Sequence, residues 1–234
     1  MTTIAQHTVS ALENFSKLIE SIPGEEHQQE AQDQPRDEYS VRTTHGWGEK
    51  YTKRIELTGE KWHAAFQDAL AAIEKRGIVA FLGKRGPGKT QMAAEIARLG
   101  KWPNDEKFWN GHYAQADKTA LYRRAMDIFL ELRDAAQNDS GTSEKRVLSR
   151  LESVGLLVID EFQERGGTEW EGRILCNLLD KRYAAERPTI IIANYTREEM
   201  AAALSPSIKD RIRENGRAII FDWESFRAAK IPAN

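Results

Sequence analysis

Cysteine is almost absent. The chain has 234 residues and a single cysteine, Cys176. That excludes a disulfide framework and a cysteine-rich metal site, and it fits a reducing compartment. Long apolar runs are missing as well. None approaches the ~18 residues of a membrane span. The opening MTTIAQHTVSALENF has neither the basic start nor the apolar core of a secretory leader. An excess of one charge is also lacking. Lys and Arg number 34, Asp and Glu 36, for a formal net charge of −2. Overall charge therefore does not mark a nucleic-acid binder, and any basic surface must be local. No internal repeat is visible. The expectation is a soluble, cytoplasmic protein with one sizeable core and a small appendage, and no membrane contact.

What is present divides the chain. Val9, Leu12, Phe15, Ile19 and Ile22 recur at three- and four-residue steps, which predicts a short amphipathic helix ending before Pro23-Gly24. Such a helix is either a strap on the main domain or a docking element for a partner. The stretch GEEHQQEAQDQPRDEYS (24–40) carries one arginine against six acidic residues. It cannot bury enough apolar area to offset its ordering entropy, so it reads as a linker. The expected organisation is a docking segment over 1–23, a polar linker over 24–57 and a main domain over 58–234.

In the main domain GIVAFL (77–82), GLLVID (155–160), TIIIAN (189–194) and RAIIFD (217–222) are short apolar runs suited to strands buried on both faces. GHYAQA (111–116) is a weaker fifth candidate. Helical stretches fall at 60–75, 89–99, 118–137, 143–153, 170–186 and 196–204. Helices alternating with buried strands predict a doubly wound α/β domain.

Directly behind the first strand stands GKRGPGKT (83–90). A glycine-rich turn between a buried strand and a helix can point successive backbone N–H groups at phosphate oxygens, and the helix N-terminus adds its positive dipole end. The match is G-x-x-x-x-G-K-[ST], through Gly83, Gly88, Lys89 and Thr90. The glycines permit backbone angles that a Cβ forbids. The predicted binding loop comprises Gly83, Arg85, Gly86, Pro87, Gly88, Lys89, Thr90 and Gln91. Lys89 would reach the β- and γ-phosphates of ATP, and Thr90 would ligate Mg²⁺. Met92, Ile96 and Leu99 give the following helix its apolar stripe, with Gly100 and Pro103 ending it.

LLVIDEF (156–162) supplies the acidic partners. Asp160 and Glu161 emerge at the carboxyl end of a buried strand, where ligands of such sheets bind. Asp160 would hold the Mg²⁺ shell, and Glu161 would position and polarise water. Asn194, ending TIIIAN, either orients that water and contacts the γ-phosphate or merely forms a turn. SPSIKDRIRENGRAIIF (205–221) carries Lys209, Arg211, Arg213 and Arg217. One of these is a candidate for the guanidinium that stabilises charge on the transferred phosphoryl group. The alternative is a solvated helix face, and spacing does not choose among them. Arg165-Gly166-Gly167 and Trp170 suggest a mobile loop between subunits.

GKRGPGKT, LLVIDEF, DKRYAAERPTIIIANYT and DRIRENGRAIIFDWESFR together resemble the DnaC-type replicative helicase loaders, within the DnaC/IstB group of AAA+ ATPases. The resemblance runs from about residue 60 to 228. It implies a P-loop AAA+ three-layer domain with a five-stranded parallel sheet and no C-terminal lid. It implies ATP and Mg²⁺ as cofactors, with ATP bound between neighbouring copies in a ring or spiral. Asn194 then looks like the polar sensor of the γ-phosphate, and Arg211 like a finger acting on the neighbour. DKTALYRRAMDIFLELR (117–133), read as a helix, falls where related ATPases contact single-stranded DNA. Leu121, Ala125, Ile128 and Leu132 would form its core stripe, leaving Lys118, Tyr122, Arg123 and Arg124 outward for DNA. The implied partner is a hexameric replicative helicase. Two other readings keep the fold: a transposition helper of the IstB kind acting on duplex DNA with a transposase, and a nucleotide-switched assembly protein without turnover.

Overall fold

The computed structural model describes residues 45–52, 59–99, 120–137 and 143–226. The segment 1–23, the polar stretch as far as residue 44, the strand candidate at 111–116, Gly100, Pro103 and Lys118 lie outside the described residues.

The four strong apolar runs form strands β1 (Ile78–Leu82), β3 (Leu156–Asp160), β4 (Thr189–Ile192) and β5 (Arg217–Ile220). The fifth strand, β2, is Ala120–Arg124. All pairings are parallel and the order is β2-β3-β4-β1-β5. β1, β3 and β4 are buried at every position, as central strands covered on both faces must be.

Alternate residues of each strand feed two cores. Val79, Phe81, Val158 and Ile190 face α2 (Glu60–Glu74) and α3 (Lys89–Arg98). Ile78, Ala80, Leu157, Ile159 and Ile191 belong to the opposite core. That core is shared with α4 (Ala125–Gln137), α5 (Glu144–Ser153), α6 (Glu169–Ala184), α7 (Arg197–Ala203) and α8 (Pro206–Glu214). The result is three layers, helices on both faces of one sheet. The helix starts follow local chemistry. Thr168 with Glu171 and Thr196 with Glu199 form reciprocal capping boxes. Ser205 caps α8 with Pro206 in its first turn.

Two sequence expectations change. Residues 118–137 are not one helix, because 120–124 pair with β3. Leu121, Ala125, Ile128 and Leu132 are all buried as expected. Their helix-like spacing spans a strand–helix junction, with Leu121 placed by the sheet and the other three by α4. Second, α8 was not among the helical stretches expected, and its Ser-Pro start was the available signal. After β3, Arg165 contacts its own chain. Arg165 Nη2 donates to Ala203 O at 2.9 Å, and its guanidinium lies 4.1 Å from the centre of the Phe162 ring.

Residues 45–52 pack on the domain. They include a single helical turn, α1 (Glu49–Thr52). Trp47 is buried in the α2/α3-side core, and its Nε1 donates to Ala120 O at 3.1 Å.

Candidate nucleotide site

Gly83 through Gly88 connect β1 to α3. Gly83, Gly86 and Gly88 all have positive φ, the region where a side chain is strained. At Gly83 the constraint is doubled, since a Cβ would stand 2.5 Å from Phe221 O. The segment after β5 lies on the loop. Trp223 Nε1 donates to Pro87 O at 3.0 Å, and Phe226 N to Gly86 O at 3.3 Å.

Lys89 opens α3 and is only 6% exposed. Its ammonium donates to Gly83 O at 2.7 Å, to Lys84 O at 2.6 Å and to Asn194 Oδ1 at 3.0 Å. The loop thus holds its cation over itself, tied across to the end of β4. Asn194, at the end of β4, thus lies beside the loop lysine. Its backbone N–H donates to Gln163 Oε1 at 3.0 Å. Gln163 escaped the sequence reading, for it carries no motif.

Thr90 Oγ1 donates to Asp160 Oδ2 at 2.8 Å, joining the start of α3 to the end of β3. Asp160 is 6% exposed and accepts two further bonds, from Tyr122 OH at 2.9 Å and from Glu161 N at 2.6 Å. Glu161 follows with φ 52, a left-handed conformation that costs a non-glycine residue about 1 kcal/mol or more. Its carboxylate is half-exposed, with Arg124 Nη1 at 3.9 Å.

The donor set fits a phosphate and a divalent cation together. Among the described residues no group of three or more His, Cys, Asp or Glu could hold a metal unaided. Mg²⁺ suits such a site, because it keeps waters and binds through one or two protein ligands plus substrate phosphates. Thr90 and Asp160 are the ligands on offer.

Other predicted residues lie differently. Arg85 pairs with Glu164 at 3.1 Å, both side chains largely exposed. Gln91 turns its amide to Glu95 at 2.7 Å on the same helix. Arg211 is not part of the converging cluster. It pairs with Asp180 of α6, and its guanidinium lies 5.1 Å from the centre of the Tyr183 ring. The residues expected to face DNA sit on a strand rather than a helix, and Arg124 remains exposed. Tyr122 points at Asp160, Arg123 bonds Glu131 at 3.0 Å, and Arg124 bonds Asp127 at 2.8 Å. Burial first, then the Asp160 carboxylate, raise the Tyr122 phenol well above its usual pKa, so it remains a hydrogen-bond donor.

The fold that carries this site has counterparts of known structure. A crystal structure of the DnaC helicase loader superposes with a TM-score of 0.55 at 16% identity, over 74% of this chain and 99% of that one. The replication initiator DnaA bound to AMPPCP and single-stranded DNA gives 0.54 at 16% identity, over 76% of this chain and 51% of its own. The likeness is one of fold, a parallel sheet with helices on both faces shared with these two structures. In sequence, the replicative helicase loader DnaC of Escherichia coli (strain K12) is 35% identical over 149 residues. That is 63% of this chain and 55% of the relative, so the chain spans about half the length of the curated proteins it matches. No protein-family model matches the chain. The likeness to DnaC loaders read from the motifs is borne out. Among the described residues no helix is long and apolar enough to cross a membrane.

Proposed function

We propose that this chain is an Mg²⁺-dependent AAA+ ATPase that loads a hexameric replicative helicase onto single-stranded DNA. The observation that carries the reading is the convergence of Lys89, Thr90, Asp160 and Asn194 at one end of adjacent parallel strands. The 35% identity to a replicative helicase loader supports the choice of partner.

The chain's own groups divide the work. Backbone amides of the loop and of the first turn of α3 receive phosphate oxygens. The Lys89 ammonium exchanges the Gly83 and Lys84 carbonyls for the β- and γ-phosphates. Thr90 and Asp160 would hold Mg²⁺, which when bound would neutralise charge on the phosphates. Glu161 accepts a hydrogen bond from the attacking water and polarises it. Asn194 contacts the γ-phosphate beside Lys89. Arg211 serves the site of a neighbouring copy, which suits its place outside the cluster of its own chain and a head-to-tail ring or spiral.

A mixing experiment tests the last point. Arg211→Ala is expected to bind ATP but to lose about 10³-fold in phosphate release. Glu161→Gln should also bind without turnover. Combining the two variants should restore part of the activity, since each supplies what the other lacks. No recovery on mixing would remove the trans role.

The whole reading is tested by native mass spectrometry of the full chain with its host's hexameric replicative helicase, Mg²⁺ and ATP. A complex is expected, and it should vanish when residues 1–40 are deleted. Free helicase beside an assembly of this chain alone would overturn the loader assignment.

A further inference from the structure

We infer that Tyr122 is a positioning residue for Asp160, fixing the carboxylate in the orientation in which it and Thr90 take a divalent cation. The inference rests on the Mg²⁺ role proposed above for that pair.

The geometry begins with the register of the sheet. Arg124 of β2 lies opposite Asp160 of β3, and Tyr122 lies opposite Val158. Tyr122 is therefore the diagonal neighbour of Asp160 on one face, a spacing that an aromatic side chain can span. Its hydroxyl reaches Asp160 Oδ2 at 2.9 Å, the same oxygen that accepts from Thr90 at 2.8 Å. The other carboxylate oxygen accepts from Glu161 N at 2.6 Å. Three donors on three different elements thus hold one nearly buried carboxylate. Thr90 and Glu161 belong to the site proper. Tyr122 is the donor that comes from outside it.

Tyr122 is itself braced. Its ring packs on Trp47 with centroids 4.9 Å apart, and Trp47 is tied by Nε1 to Ala120 O at 3.1 Å on the same strand. Aromatic packing alone would be met by phenylalanine. A partly buried phenol favours a partner, and here that partner is the Asp160 carboxylate. Outer partners that orient ligating carboxylates have a known scale, with their loss typically costing about 10–100-fold in metal affinity.

The test uses the full chain, wild type and Tyr122→Phe, titrated with a fluorescent ATP analogue in excess Mg²⁺ and again in EDTA. Mn²⁺ bound to the protein–nucleotide complex is measured in parallel by electron paramagnetic resonance. The variant keeps the ring and the Trp47 contact, so its melt and its EDTA affinity should match wild type. Its gain in affinity from Mg²⁺ should shrink about tenfold, with Mn²⁺ retention falling alike. An unchanged Mg²⁺ response with wild-type melting would overturn the inference. An equal loss in EDTA would also overturn it, assigning Tyr122 to packing of the pocket. If wild type itself gains nothing from Mg²⁺, the metal reading of Asp160 and Thr90 fails first and this inference with it.

Discussion

Lys89→Ala is expected to lose ATP binding and to drop turnover to background, while melting close to wild type. The ammonium is nearly buried and donates to two loop carbonyls and to Asn194 Oδ1. Each charge-assisted bond to a phosphate is worth about 1.5–3 kcal/mol, so losing two weakens binding by about a hundredfold or more. The damage is compounded because the Gly83 and Lys84 carbonyls then face the phosphates without a cation between them. The fold should survive, since Lys89 belongs to neither hydrophobic core. Glu161→Gln makes the contrast. It leaves the loop intact, keeps binding and loses about 10²–10⁴-fold in turnover, the usual worth of a positioned general base. Titration with a fluorescent ATP analogue and a phosphate-release assay separate the two. Wild-type affinity in Lys89→Ala would sink the assignment of the loop.

The parts of this site that were legible from sequence are those encoded within a few residues. The glycine loop announces itself, because only glycines at 83, 86 and 88 allow the chain to turn back beside a lysine at a helix start. Asp160 and Glu161 are found the same way, as charges that end an apolar run buried on both faces. Four of the five strands follow from the same rule, being apolar and β-branched. β2 breaks it. ALYRR has no β-branched residue and carries two arginines, so its residues read as helix, and only pairing with β3 makes them a strand.

The missed or misplaced contacts share a cause, which is distance along the chain. Tyr122 and Asp160 are 38 positions apart, Trp47 and Ala120 are 73 apart, and Asn194 meets Gln163 across 31. Nothing in LYRR tells a phenol aimed at DNA from a phenol aimed at a carboxylate. The sheet register decides it. Arg123 shows the same effect. Its charge looked free for phosphates, yet Glu131, in the second turn of α4, takes it.

The segment DKRYAAERPT carries a buried cation, and this sets the second large effect. Arg182 is fully buried. Its guanidinium donates to Leu151 O at 2.8 Å, Glu152 O at 3.2 Å, Val154 O at 2.9 Å, Pro188 O at 2.7 Å and Thr189 Oγ1 at 2.8 Å. The first three are carbonyls at the end of α5, which have no helical partner of their own and carry the negative pole of its dipole. The last two stand at the entry to β4. One side chain on α6 therefore closes a helix, starts a strand and joins both to its own helix. Arg187 assists by bonding Ser153 O, the remaining carbonyl of that turn. Burial, then the charge of Arg187, push the Arg182 pKa down to about 9, which still leaves it cationic at neutral pH. Arg182→Ala strips several buried acceptors at once and opens a cavity, a loss above about 4 kcal/mol. Against a typical stability of about 5–15 kcal/mol, much of the protein should be unfolded at 37 °C. Arg182→Lys keeps the charge with fewer, differently placed donors and should fall between. Urea unfolding followed by circular dichroism measures both. A cooperative transition of Arg182→Ala near the wild-type midpoint would show that these carbonyls find other partners. Nucleotide binding should track folding in this series, whereas in Lys89→Ala it should be lost with the fold intact, so the two variants separate the scaffold from the site.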